Sequence, residues 1–202
     1  RAVSFPGVVE TVPTYRSLLV RFDPLATTFE ALGAALLSVS GELKGEARTG
    51  RRWRVPVAYG GEYGIDLEAT AATHGLSPDE LVRRHCAPSY RVYMIGFLPG
   101  HTYLGGLDPS IATPRRLSPR LETPAGTVSI GGIQAIVAAP LAAPSGWHLL
   151  GRTPVRTFMP GREPTTLFAP GDEILFRPVE PGEFVRLDRE AAAGALVAEP
   201  VP

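Results

Sequence analysis

Short runs in which apolar and polar residues alternate open the chain. Residues 8–12 (Val-Val-Glu-Thr-Val) and 17–22 (Ser-Leu-Leu-Val-Arg-Phe) predict two strands joined across Pro13-Thr14-Tyr15. Asp23-Pro24 ends the second, and Thr27-x-x-Glu30 is a capping box, in which hydroxyl and carboxylate satisfy free amides at a helix start. Phe29, Leu32, Leu36 and Leu37 follow near helical spacing, so the helix is predicted to run to about Val39. Gly41 to Gly50 reads as a polar loop. Residues 53–59 predict a third strand, stopped by Gly60-Gly61. Residues 66–74 predict a short helix with Gly75 as its C-cap. Ser77-Pro78-Asp79-Glu80 starts another, with Pro at the first position, and it ends near His85-Cys86.

The pattern then turns to β alone. Strands are predicted at 90–96, 126–130, 134–138, 148–152, 166–168 and 173–178. Between Phe97 and Pro124 periodicity nearly vanishes, and a stretch that long in a compact domain points to function or disorder. An Ala-rich tail predicts a terminal helix over 188–197 that frays through Pro200 and Pro202. The expected fold class is α+β: a small α+β N-terminal domain (residues 1–87), a β-barrel of short strands (88–187) and a C-terminal tail (188–202).

Composition narrows the chemistry. With 202 residues, 44% hydrophobic and 20% charged, the chain buries an ordinary core. Net charge is zero, which gives no electrostatic case for nucleic acid or an anionic membrane. Lys44 is the only lysine among 20 cations. No Gly-x-x-x-x-Gly-Lys phosphate loop occurs, and a biotin-bearing lysine could only be Lys44, in a loop. Biotin is therefore not expected on this chain. Cys86 stands alone, which excludes a disulfide framework and a zinc cluster and fits a reducing, cytoplasmic setting. No apolar run reaches the ~18 residues of a membrane span, and no signal peptide is visible.

No Gly-x-Ser-x-Gly elbow or Ser-Ser-Lys arrangement is present, so a self-contained amidase is not expected. Pro and Gly breaks between 91 and 172 carry arginines beside them, and a planar guanidinium fork fits carboxylate or phosphate. Arg115, Arg120 and Arg152 are candidates to grip such a group. Phe97, Tyr103 and Trp147 can supply apolar walls or pack in the core. Gln134 offers an amide donor and acceptor. His85 ends a helix, where the dipole favours it, and imidazole also suits proton transfer near neutral pH. His101 follows Pro99-Gly100 in the same region. His74 and His148 read as surface or packing residues, and no ligand spacing predicts a metal.

The segment Gly96-Phe97-x-Pro99-Gly100-x-x-Tyr103-Leu104-x-Gly106-Leu107-Asp108 resembles the family of bacterial 5-oxoprolinase B subunits. That family is also known for KipI-type inhibitors of a sensor histidine kinase, and homologues carry the label allophanate hydrolase subunit 1. The likeness continues through Pro114-Arg115, Pro119-Arg120, Pro124-Ala125-Gly126, Gly146-Trp147, Gly151-Arg152-Thr153-Pro154 and Pro170-Gly171-Asp172. Upstream it includes Tyr59-Gly60-Gly61, Asp66 and His85, so it covers nearly the whole chain.

The resemblance implies a cyclophilin-like barrel after the α+β domain, and a first strand and most of a helix ahead of Arg1. It implies a heteromeric hydrolase, inactive alone, that opens 5-oxoproline to glutamate at the expense of ATP bound somewhere in the complex. Its implied partners are a homologous C subunit (allophanate hydrolase subunit 2-like) and a separate lactam-utilisation protein. Catalytic candidates are His85, Arg115, Arg120 and Arg152, and substrate-binding candidates are Phe97, Pro99, His101, Tyr103, Gln134, Trp147 and Thr153. Two alternatives stay open: half of a urea-carboxylase-type carboxyltransferase, served by a biotin protein in trans, and a kinase-inhibiting binding protein. The chain departs from the family pattern at His101, where an aromatic such as Phe is usual, at Ser145, and at Ala135-Ile136.

Overall fold

The alternating residues of Val8–Pro13 (β1) and Leu18–Phe22 (β2) pair as an antiparallel hairpin. Thr14 closes its turn, the hydroxyl accepting from the Ser17 amide at 3.1 Å. The helix α1, Phe29–Glu42, follows. Its cap is Thr28, whose hydroxyl accepts from Ala31 N at 3.2 Å. The expected cap, Thr27, sits one residue too early because its own amide is tied to Asp23 O in the preceding turn. The computed structural model describes residues 5–42 and 50–202. Most of the predicted polar loop, with Lys44, lies outside them. These elements belong to one unit, Arg1–Arg48, and everything below to a second, Thr49–Pro202.

The second unit is a closed barrel. Its strands are Arg52–Tyr59 (β3), Tyr90–Ile95 (β4), Thr102–Gly105 (β5), Thr127–Gly131 (β7), Gln134–Val137 (β8), His148–Arg152 (β10) and Glu173–Pro178 (β11). A further pair, Arg120–Thr123 (β6) and Ala143–Ser145 (β9), forms a small separate sheet. Around the barrel the order is β10-β7-β8-β5-β4-β11-β3, and β3 closes the ring by pairing Tyr59 with Gly151 and Ala58 with Arg152 of β10. β3 and β11 run parallel, and the other neighbours are antiparallel. Val55, Val57, Leu104, Val128, Ile130, Val137, Leu150 and Ile174 are fully buried in one core cluster. Closure leaves these strands without free edges.

Two helices, Leu67–Thr73 (α2) and Pro78–Cys86 (α3), lie between β3 and β4 in sequence. Ser77 caps α3 as expected, accepting from Glu80 N at 3.2 Å, but Glu80 turns to Arg83 and Arg84 at 2.7 Å and does not reach back to complete the box.

Several expectations are corrected. The stretch 97–124 is not devoid of structure: it holds β5, a short 3-10 turn at Pro109–Ile111, and β6. Thr166 forms only an isolated bridge to Phe158, so 166–168 is no strand. The tail is ordered too. Helix α4 spans Pro181–Ala192, earlier than expected, and Glu199–Val201 (β12) pairs with Arg52–Arg54 along the outer edge of β3. The division expected at residue 87 also differs from the compact units, because β3 is a central barrel strand and pulls residues 49–87 into the second unit.

The Pro170-Gly171-Asp172 turn fastens the start of β3. The buried Asp172 carboxylate accepts from Arg51 N at 3.0 Å, Arg51 Nη2 at 2.7 Å, Trp53 Nε1 at 3.1 Å and Ala169 N at 3.1 Å. Gly50 allows the approach, since a Cβ there would meet Gly171 O at 2.3 Å.

Candidate functional site

One face of the barrel carries a cleft of ≈ 230 Å³. Its walls are Phe97, His101, Tyr103, Arg115, Ile136 and Trp147, with Pro144 and Ser145 of β9 and the following Gly146 also lining it. Sheet register explains why residues so far apart meet. Tyr103 of β5 lies opposite Ile136 of β8, and Gly131, at the end of β7, opens the turn to β8. Trp147 immediately precedes β10, whose His148 pairs with Ile130. Gly131 has no side chain, and Trp147 occupies that space: a Cβ at Gly131 would lie 2.7 Å from the indole and 3.1 Å from Arg115 Cγ.

The aromatic groups form a chain of ring contacts, edge-on at both ends and tilted between His101 and Tyr103. Phe97 to His101 is 5.4 Å between ring centres, His101 to Tyr103 is 5.0 Å, and Tyr103 to Trp147 is 6.2 Å. Phe97 is 61% exposed and has φ +72°, a left-handed conformation that a bulky side chain rarely adopts. Its loop is held on both sides by Gly96 N to His101 O at 3.1 Å and His101 N to Leu98 O at 3.0 Å. Strain retained in this way concentrates at ligand clamps.

Arg115 is set into the cleft by its neighbours. Thr113 bridges to Gly132, and its hydroxyl bonds to His74 Nε2 at 2.9 Å. His148 Nε2 donates to Pro114 O at 2.8 Å, and Arg116 N donates to Gly146 O at 2.8 Å. Asp66, buried just before α2, accepts a two-pronged hydrogen bond from Arg120 at 2.7 and 2.8 Å, one from Leu149 N at 2.8 Å, and an approach from Arg116 at 3.5 Å. Burial would raise the Asp66 carboxyl, but the Arg120 and Leu149 hydrogen bonds, with the charges of Arg120 and Arg116, hold it below its ordinary value. Arg116 and Arg120 are thus committed to Asp66. Arg115, which precedes both in the chain, makes no hydrogen bond or ion pair among the described residues.

Of the eleven candidate residues, five gather here: Phe97, His101, Tyr103, Arg115 and Trp147. The other six lie elsewhere. Arg120 braces Asp66. Arg152 donates Nε to Ala125 O at 3.2 Å, with its guanidinium 5.7 Å from the Phe184 ring. Thr153 is buried and accepts from Val155 N at 3.2 Å in a turn. Gln134 pairs with Gly131 beside the β7–β8 turn, and Pro99 is exposed on the loop. His85 is fully buried, stacked 4.8 Å from Phe176, with Nδ1 hydrogen-bonded to the Tyr59 hydroxyl at 2.9 Å. Burial pushes its pKa down to about 3, so it stays neutral. Its surroundings are those of a core side chain. Sequence reasoning misses Asp66 and Gly131 as supports, since nothing local marks a carboxylate whose partners come 50 or more positions later.

Gly131→Ala tests the packing of the cleft. The added methyl is expected to displace Trp147 and Arg115 and weaken ligand binding about tenfold or more, and, because Gly131 is buried, to cost about 1–3 kcal/mol of stability. Parallel ligand titration and thermal melts check this.

A second cleft, of ≈ 630 Å³, lies between α3 and the start of α4 and includes Tyr59, Asp79, Arg83, Cys86 and Glu180. Arg83 there is already paired with Glu80. Among the described residues no group of three His, Cys, Asp or Glu side chains could hold a metal ion, and no helix is long and apolar enough to cross a membrane.

Comparison with known proteins agrees with this architecture. Residues 1–168 match the family described as carboxyltransferase domain, subdomain C and D. The chain is 39% identical over 183 residues to a 5-oxoprolinase B subunit of Bacillus subtilis, covering 85% of this chain and 76% of that protein. A 5-oxoprolinase B subunit of Escherichia coli O157:H7 is 40% identical, covering 90% and 83%. A crystal structure of the conserved uncharacterized protein PH0987 of Pyrococcus horikoshii superimposes with a TM-score of 0.64 at 46% identity, covering 88% and 82%. The urea amidolyase of K. lactis superimposes with a TM-score of 0.80 over 96% of this chain and 14% of that one. At 20% identity that likeness speaks for the fold alone. The chain therefore belongs to the carboxyltransferase subdomain C and D family, alongside the B subunits of bacterial 5-oxoprolinases.

Proposed function

We propose that this chain is the B subunit of an ATP-dependent 5-oxoprolinase, acting with a homologous C subunit and a lactam-utilisation protein, and that its cleft receives the substrate. The observation that carries this reading is Arg115. It is a guanidinium whose backbone is held in place from both sides, without an acidic partner, beside an aromatic wall. Such a group waits for an anion, and its planar fork matches a carboxylate. The cleft volume of ≈ 230 Å³ is below the ~300–1,000 Å³ usual for drug-sized ligands and suits a molecule as small as 5-oxoproline. The identity of about two residues in five to named B subunits supports the same substrate.

Within this chain, Arg115 binds and orients the carboxylate. Phe97, Tyr103 and Trp147 offer the substrate ring an apolar wall. ATP, bound within the complex, would activate the lactam.

The test is ATP-dependent glutamate release from 5-oxoproline, with the chain co-expressed with the C subunit and the lactam-utilisation protein. Release that requires all three components is expected. No release from a folded complex would overturn the reading and favour the carboxyltransferase or kinase-inhibitor role.

A further inference from the structure

Against the Phe97 loop lies a second irregular loop, residues 156–165, tied together by one arginine. The Arg162 guanidinium donates to Arg156 O at 3.0 Å and Thr157 O at 3.3 Å, where the loop departs. It also donates to Pro164 O at 3.3 Å and Thr165 O at 3.1 Å, where the loop returns. Among the described residues no carboxylate pairs with it, so its fork is given over to main-chain carbonyls. A rigid planar fork reaches both ends of the loop at once, whereas a lysine ammonium donates from a single point. Main-chain bonds add to the clasp, from Met159 N to Thr165 O at 2.9 Å and from Leu167 N to Thr157 O at 2.8 Å. The Phe97 loop rests on this structure. Gly100, with φ +79°, comes so close that a Cβ there would lie 2.6 Å from Thr157 Oγ1 and 2.8 Å from Phe158 Cβ. Phe97 itself has a left-handed backbone and an exposed ring, so its own packing does little to keep it at the cleft.

We propose that Arg162 is a positioning residue for the substrate cleft: by clasping the 156–165 loop it supplies the surface that fixes Gly100, and so keeps Phe97 in the apolar wall. For the identity of the ligand this rests on the function proposed above, and it adds a residue that does not line the cleft. Without the fork, the carbonyls at both ends of the loop turn to water and the loop spreads. Gly100 then loses its support, and Phe97 relaxes out of a conformation that only its surroundings maintain. Arg115 and Trp147 are held by other segments and keep their places. The effect of Arg162 on binding is therefore confined to the share that Phe97 contributes.

The experiment uses the assembled complex, 5-oxoproline as the probe, and the variants Phe97→Ala, Arg162→Met and the two combined. Each single variant is expected to weaken binding about 3- to 10-fold. The double variant should bind as Phe97→Ala alone does, because residues acting through one another are not additive. Losses that multiply in the double variant, or an Arg162→Met complex that binds as wild type does, overturn the assignment. Arg162→Lys keeps the stem and the charge and serves where Arg162→Met does not fold. Its loss should be smaller and should also vanish in the Phe97→Ala background, and a loss that persists there overturns the assignment. A label of 4-fluorophenylalanine at position 97 reads the same relation without ligand. Its 19F resonance should shift and broaden in either Arg162 variant, and an unmoved resonance overturns the role of Arg162. Wild type that fails to bind 5-oxoproline overturns the proposed function, while the 19F signal still decides the positioning.

Discussion

Replacing Arg115 by alanine is expected to weaken 5-oxoproline binding by the assembled enzyme roughly 10- to 100-fold, the value of one charge-assisted contact. Stability should stay within about 0.5 kcal/mol of wild type, because the side chain is exposed and bonds to nothing in the described protein. Arg115→Lys should recover only part of the loss, since an ammonium keeps the charge but not the planar fork. Arg152→Ala is the informative contrast. Its guanidinium faces Ala125 O and the Phe184 ring, so its removal is expected to cost about 0.5–1 kcal/mol of stability and leave ligand affinity unchanged. Isothermal titration beside chemical denaturation separates the two. Equal affinity loss in both variants would remove Arg115 from its special place.

The largest stability effect is expected at Asp66. Asp66→Ala leaves Arg120, the more distant Arg116 and the Leu149 amide without their shared acceptor, and breaking a buried pair in this way costs about 3–5 kcal/mol. Acid should act in the same direction on wild type. The carboxyl's folded pKa lies below its ordinary value of 3.8, so its contribution is complete above that value and is lost as pH falls through the folded one. The stability margin of wild type over Asp66→Asn should therefore be level near neutrality and shrink below about pH 4. A margin that grew in acid would contradict the brace.

Why the sequence reveals some of this and not the rest follows from where each signal lies. The strands β3, β8, β10 and β11 are apolar runs flanked by Gly or Pro, and they stand out. β5 does not, because Thr102 and Gly105 are buried beside Leu104 and no alternation survives. β12 is only three residues long and contains Pro200, which an edge strand tolerates but which reads as a break. At the site, Phe97, His101 and Tyr103 fall within one motif, so their grouping is legible. Arg115 and Trp147 join them only through the pairing of β5, β8, β7 and β10. Arg115 and Arg120 look alike in sequence, each directly following a proline. Only the fold shows that Asp66 claims one of them. His85 is likewise ambiguous at a helix end, until Tyr59, Tyr90 and Phe176 enclose it.

The central claim is that Arg115 and the aromatic wall form the substrate site, and a crystal structure of the assembled complex with 5-oxoproline bound tests it most directly. The account predicts the carboxylate within hydrogen-bonding distance of the Arg115 guanidinium, with the ring against Tyr103 and Trp147. Ligand bound elsewhere, for example between α3 and the start of α4, with the Arg115 cleft empty, would contradict it.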